Sequence, residues 1–149
     1  MFFIYEVLGL IFILFSPLIF LIRIILGKEN PKRFLEKFCI YSKKPNFNKT
    51  IWFHGASVGE ILSVIPIIKE LEKNKKINKI LLSSTTTSSA HIFSEYKFKK
   101  TTHIYFPIDT NYLTNKFINY WNPKVAIFID SEIWPNMFKN LEKNNIPIV

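Results

Sequence analysis

From residue 50 onward, short apolar runs alternate with amphipathic stretches, and this alternation restricts the fold more than any other feature of the chain. Residues 50–54 (TIWFH), 79–84 (KILLSS), 103–106 (HIYF) and 124–129 (KVAIFI) are short and rich in β-branched or aromatic residues, so they read as strands. Between the first two, 58–72 carries apolar residues at helical spacing: Ile61, Leu62, Ile65, Ile68 and Leu71. Residues 88–96, 111–121 and 132–144 read as further helices. A strand and a helix about every 25–30 residues predict βαβ units, hence a Rossmann-like α/β fold with a parallel sheet and helices on both faces. The crossovers should be right-handed. Residues 146–149 (IPIV) begin one more strand, apolar enough for a central position, so more sheet is expected beyond it.

The N-terminus has a different character. Residues 7–22 (VLGLIFILFSPLIFLI) and their apolar neighbours are long enough to cross a bilayer, which takes about 20 residues. Neither a basic leading region nor a small-residue cleavage site is visible, which argues against a cleaved signal peptide. Phe and Ile on every face exceed what one small domain could cover. A membrane-anchor helix over 1–26 is the expectation, and Pro17 should kink it, which leaves shallow or re-entrant insertion open.

The net charge is +9, and much of the excess follows that apolar run: between residues 23 and 49 eight basic residues accompany Glu29 and Glu36. A basic cluster in this position reads as a juxtamembrane anchor on an anionic membrane surface, with the rest of the chain facing the cytoplasm. Residues 27–49 are expected to form a surface linker, with an amphipathic patch at Phe34, Leu35 and Phe38 that could lie on the membrane. Residues 50–149 then form the α/β domain. Nucleic acid is not an expected partner, since no RNP-like, helix-turn-helix or zinc signature accompanies the charge. Cys39, the only cysteine, allows neither an intrachain disulfide nor a cysteine-based zinc site.

In an open parallel sheet, ligands bind where strands run into the following helices. Three such loops carry chemistry. In the first, His54-Gly55-Ala56-Ser57-Val58-Gly59-Glu60, small residues let backbone amides approach a ligand at a helix N-terminus. Ser57 and Glu60 have the spacing of a capping box, and Glu60 could equally serve as a general base at a cleft mouth. The second, 84–89, is a run of hydroxyls including Thr86 that could bind sugar or phosphate, or cap the next helix. The third, 130–136 (DSEIWPN), places Asp130 and Glu132 beside Trp134, a plausible sugar site or a set of acids on a helix N-terminus. His54, His91 and His103 lack metal-ligand spacing and are expected to be satisfied or exposed.

In this order the motifs HGASVGE, SSTTTSS, YFPID (105–109) and IDSEIWPN (129–136), with GKE (27–29) after the apolar run, resemble the 3-deoxy-D-manno-octulosonic acid (Kdo) transferase family. The resemblance covers nearly the whole chain. It implies the N-terminal, acceptor-side half of a two-domain GT-B glycosyltransferase that moves Kdo from CMP-Kdo to the lipid A precursor. It also implies inversion at the anomeric carbon and no cofactor or metal. Glu60 matches the glutamate of the SVGE motif, the expected general base. Ser57, Gly59, Thr86, Asp130, Glu132 and Trp134 become acceptor-side candidates. Two departures stand out: Asp130 where the family usually has glutamate, and a 83–89 turn without the family's Pro and Gly. The C-terminal half, which holds most of the CMP-Kdo site, has no counterpart in this sequence. The expectation is therefore an N-terminal fragment needing a donor half in cis or in trans. The alternative is a non-catalytic membrane-anchored glycolipid-binding module or an inactive relic.

Overall fold

The computed structural model describes residues 2–42, 50–130 and 132–149. Residues 43–49 of the expected linker and Ser131 of the third loop lie outside the described residues. In chain order the elements are α1 (Phe2–Ile25), a 3-10 helix (Phe34–Phe38), β1 (Thr50–His54), α2 (Val58–Lys73), β2 (Ile80–Ser84), α3 (Thr87–Ser94), β3 (Thr101–Tyr105), α4 (Asn111–Trp121), β4 (Pro123–Phe128) and α5 (Pro135–Lys143).

The four strands form one parallel sheet in the order β3-β2-β1-β4. Chain order moves one way from β1 to β3 and then crosses back to β4, so the topological switch point lies between β1 and β4. The 146–149 run, expected to begin another strand, makes one parallel bridge: Ile148 with Ala126, on the far side of β4.

Side-chain alternation divides the core in two. Trp52, Leu81, Ile104 and Ala126 point to one face and pack with Leu113, Phe117, Trp121, Met137 and Leu141 of α4 and α5. Phe53, Ile80 and Leu82 point to the other face, against Ile61, Val64, Ile65 and Ile68 of α2. Helices therefore cover both faces, as the alternating pattern predicts.

Helix α1 runs through Pro17 without interruption. Proline removes the amide that would bond the carbonyl of Ile13, and the Ser16 hydroxyl donates to that carbonyl instead, at 2.7 Å. The helix ends in a Schellman motif at Gly27, whose φ of +67° suits glycine: Gly27 N–H donates to Ile24 O, and Lys28 N–H to Arg23 O.

The 3-10 helix is docked on the edge of β3. Glu36 accepts the Tyr105 amide at 2.9 Å, and Arg33 forks onto Glu36 at 2.7 and 2.9 Å. An otherwise open strand edge is thereby occupied by charge. Phe34 and Phe38 turn inward onto Phe20 of α1, and Leu35 stays exposed.

The expected 132–144 helix begins only at Pro135. Proline disfavours the helical conformation for Trp134 before it and occupies a first-turn position where no amide partner is needed.

Candidate active site

The loops after β1, β2 and β4 all emerge at the carboxyl edge of the sheet, so the topology brings the three sequence motifs together. The β1 loop opens α2 with a complete capping box. The Glu60 amide donates to Ser57 Oγ at 3.3 Å, and the Glu60 carboxylate accepts the Ala56 amide at 2.8 Å and the Ser57 amide at 3.2 Å. The Ser57 hydroxyl also bonds the carboxylate. Both carboxylate oxygens are thus engaged within their own loop. A Cβ on Gly55 would stand 3.0 Å from Glu60 Cβ, so this glycine lets the first turn of α2 close onto the end of β1. Gly59 is different: an added Cβ there meets only Ser57 Oγ, at 3.9 Å.

The β2 loop braces the β1 loop. Thr86 caps α3 by accepting the Ser89 amide at 3.1 Å, while Thr85 and Ser89 hydroxyls donate to the Ala56 carbonyl at 3.0 and 3.3 Å. Of the two roles open to Thr86 in the sequence, the geometry displays the cap.

The β4 loop crosses the switch point toward β1. Ile129 N–H donates to His54 O at 2.8 Å, and the next residue, Asp130, turns the chain with a φ of +71°. Aspartate tolerates that left-handed conformation better than most residues, which gives a local reason for Asp rather than Glu here. Glu132 then reaches back, its Oε2 3.4 Å from His54 Nε2 and 3.1 Å from the Trp134 indole nitrogen, which donates to it. The His54 contact is not a well-directed hydrogen bond, for Nε2 is buried without a hydrogen-bond partner, and it is an ion pair only when the ring is protonated. His54, with the Trp134 indole adding to it, holds the Glu132 carboxyl below the usual glutamate range, against partial burial and the nearby Asp130 charge.

His54 was expected to be satisfied or exposed; it is buried and bonds Ser83, and its contact with the β4 loop is what the sequence did not reveal. Its ring is 1% exposed, lies 4.0 Å from the Phe106 ring centroid and faces Trp134 at 6.1 Å, with Nδ1 2.9 Å from Ser83 Oγ. The only available signal was its position at the last residue of a buried strand. Of the other two histidines, His91 is exposed beside Glu95 and His103 is buried.

Asp109 also escaped notice as a functional position. Trp134 supplies no side-chain cap for α5, and Asp109 does so from a distance in sequence. Its Oδ1 accepts the Met137 amide at 2.8 Å, and its Oδ2 accepts the Asn136 amide at 3.1 Å and the Tyr5 hydroxyl at 2.7 Å. Burial pushes the Asp109 carboxyl up, and these three donors offset that only in part. One buried carboxylate therefore joins α1, the YFPID segment and the start of α5. Replacing Asp109 by Ala should cost about 2–4 kcal/mol by stranding two buried amides. A denaturant midpoint unchanged by Asp109→Ala would show the cap to be dispensable.

Between α1 and this edge lies a cavity of about 320 Å³ lined by Phe12, Phe20, Arg23, Lys37, Thr85 and Trp134, among others. Arg23 and Lys37 share one carboxylate, Glu29, at 3.2 and 2.7 Å, so the cluster keeps an excess positive charge. Burial pushes the Lys37 ammonium pKa down, with Glu29 opposing the shift. The GKE motif thus places its glutamate at the junction of helix and domain.

The family model for 3-deoxy-D-manno-octulosonic-acid transferase (kdotransferase) matches residues 32–149. A 3-deoxy-D-manno-octulosonic acid transferase of Rickettsia bellii is 37% identical over 125 residues, covering 84% of this chain and 30% of the relative. A probable mitochondrial 3-deoxy-D-manno-octulosonic acid transferase of Arabidopsis thaliana is 31% identical over 136 residues, 89% of this chain and 30% of the relative. The Haemophilus influenzae transferase is 30% identical over 99 residues, 66% of this chain and 23% of the relative. The chain thus spans less than a third of the length of each of these curated relatives. With the motif-bearing loops gathered at one sheet edge and the family match running through all of them, the chain belongs to the 3-deoxy-D-manno-octulosonic-acid transferase family.

Proposed function

We propose that this chain forms the membrane-anchored, acceptor-side part of an inverting, metal-independent glycosyltransferase that moves Kdo from CMP-Kdo to a hydroxyl of the lipid A precursor, at the cytoplasmic face of the bacterial inner membrane. The observation that carries the reading is the convergence of the β1 and β4 loops at the switch point, beside a cavity that is apolar on its α1 side and cationic at Arg23 and Lys37. An acylated, phosphorylated sugar needs both characters in one place. CMP-Kdo is held by a donor half, continuous with this chain or separate from it.

In the proposed reaction Glu60 takes the proton of the acceptor hydroxyl as its oxygen attacks the anomeric carbon, and CMP departs from the opposite side. Glu60 must first exchange at least one of its loop hydrogen bonds for that hydroxyl, and the Ser57 hydroxyl is the exposed and replaceable one. Glu132, Asp130 and Trp134 shape the acceptor side, with Ser57, Gly59 and Thr86 along the opposite lip. His54 holds Glu132 in place from beneath.

Trp134→Ala, assayed in enzyme containing the donor half, should raise the KM for the lipid acceptor by about 10-fold and leave the KM for CMP-Kdo unchanged. Equal effects on both substrates, or none, would remove Trp134 from the acceptor side. A second reading, a glycolipid-binding module without catalysis, is favoured by one observation: both Glu60 oxygens are already committed to the capping box.

A further inference from the structure

Helix α1 is long and apolar enough to cross a bilayer, yet its contacts describe a different arrangement. One narrow stripe of it touches the rest of the chain, its first half on the α/β domain and its second half on the segment around the 3-10 helix. Tyr5 bonds Asp109, Gly9 closes on Thr110, Ile13 joins the α4/α5 core, Ser16 and Phe20 are buried, and Arg23 pairs with Glu29. The spacing of these residues is three or four throughout, the signature of a single helix face. From Tyr5 to Arg23 the stripe covers about 27 Å at 1.5 Å per residue, close to the roughly 30 Å thickness of a hydrocarbon core.

A helix whose flank is covered by the rest of a water-soluble chain over that distance cannot also be surrounded by lipid. If α1 stood upright in the bilayer, α4 would enter the hydrocarbon with it. That helix starts at Asn111, next to the residue that touches Gly9, and carries Asn111 and Asn115 exposed. Asn140 donates to the Asn111 side-chain oxygen at 3.1 Å, but Asn115 would carry an exposed amide into hydrocarbon, which cannot satisfy it.

The opposite face of α1 is bare. Ile4, Leu8, Ile11, Phe15, Leu18, Ile22 and Ile25 are exposed from end to end, and Leu10, Leu14 and Leu21 widen this bare surface round one flank, so that most of the helix circumference is uncovered. No charged residue interrupts it. An uncovered apolar face of this extent calls for a partner, and the charge at its end selects one: Lys28 and Lys32 are exposed just past the helix, and the Arg23 side chain is partly so. Apolar surface bordered by cations fits the headgroup region of an anionic leaflet.

We propose that α1 lies in the plane of one leaflet, its bare stripe among the acyl chains and its packed stripe carrying the domain, so that the chain is monotopic rather than membrane-spanning. This deepens the membrane-anchor reading above and rests on it. The cavity lined by Phe12, Phe20, Arg23 and Lys37 then lies at headgroup level, and a lipid acceptor reaches it sideways from the leaflet.

The test uses the full chain carrying Cys39→Ser, with single cysteines placed by Glu6→Cys or Lys28→Cys, in inverted inner-membrane vesicles. An impermeant maleimide should label both positions from the domain side without detergent. Labelling of the Lys28→Cys site alone, with the Glu6→Cys site reached only from the opposite side, means a spanning helix and overturns the proposal while leaving the membrane anchor standing. Nitroxides at Leu8, Phe15 and Ile22 should report one shallow depth, whereas graded depths along the helix would likewise overturn it. A chain released from vesicles by carbonate as a soluble dimer would remove the membrane reading itself, with a second copy as the occupant of the bare face.

Discussion

Replacing Glu60 by Gln should lower the turnover of Kdo transfer by about 10²–10⁴-fold, the usual contribution of a positioned general base, while leaving the fold intact. The reason lies in the double use of this side chain. Gln is an ordinary capping-box residue at the third helical position: its single amide oxygen keeps one of the two bonds, from the Ala56 or the Ser57 amide, that the carboxylate receives on separate oxygens. What the amide cannot do is take a proton from the acceptor hydroxyl. The Gln variant therefore separates structure from chemistry, which Glu60→Ala does not, since Ala also forfeits about 1 kcal/mol of capping. The readouts are CMP release in enzyme containing the donor half and thermal unfolding of the same sample. A large loss of rate at constant Tm supports the base. An unchanged rate leaves Glu60 as a cap only, and the non-catalytic reading would replace the enzymatic one.

Strand β1 and helix α4 were legible to the residue, at 50–54 and 111–121, because each has an unambiguous apolar period and is bounded by residues that stop it. The Ser57–Glu60 box was legible for a similar reason: its partners are three residues apart, so spacing alone specifies the contact. Long-range relations were not. The approach of His54 to Glu132 depends on β4 returning to the free side of β1, and nothing in either loop announces that strand order. Asp109 caps α5 across 27 and 28 positions of sequence, a relation that no local spacing records. The short helix expected within residues 27–49 is present as the 3-10 helix at Phe34–Phe38. That Arg33 and Glu36 engage the edge of β3 was not legible, because only the folded sheet supplies that edge.

Those edge contacts make stability depend on pH in a specific window. His103 is buried beneath the 3-10 helix, with Nε2 2.8 Å from Ser84 Oγ and Nδ1 3.1 Å from the Arg33 guanidinium, which also donates to its carbonyl. The rings of Phe93 and Tyr105 enclose it, and Glu36 occupies the other side of Arg33. Arg33 has only donors, so Nδ1 must accept and the ring must be neutral. Burial, reinforced by the Arg33 charge, pushes its pKa down to about 3 from 6.5. Below pH 6.5 the unfolded chain takes up a proton that the folded chain refuses, so stability falls as the pH falls. The slope approaches about 1.4 kcal/mol per pH unit below the unfolded pKa, and it accumulates to roughly 2 kcal/mol between pH 6.5 and 4.5. Nearer pH 4 the loss has further contributors. Burial works to raise the Glu72 carboxyl, but hydrogen bonds from Lys99, Lys100 and Thr101 hold it low, and Glu132 is likewise depressed, so both then begin to protonate. Between 6.5 and 4.5 the histidine is therefore the group that lowers stability, and the raised Asp109 carboxyl works in the opposite direction. Denaturant midpoints in mild detergent should decline steadily across it. In His103→Asn, which keeps an acceptor for Arg33 and has nothing to titrate, the decline should vanish even though the midpoint at neutral pH is lower. A parent protein whose midpoint stays flat across this window would mean that the Arg33–His103 contact opens to admit the proton, and that the 3-10 helix is not a fixed cover of the sheet edge.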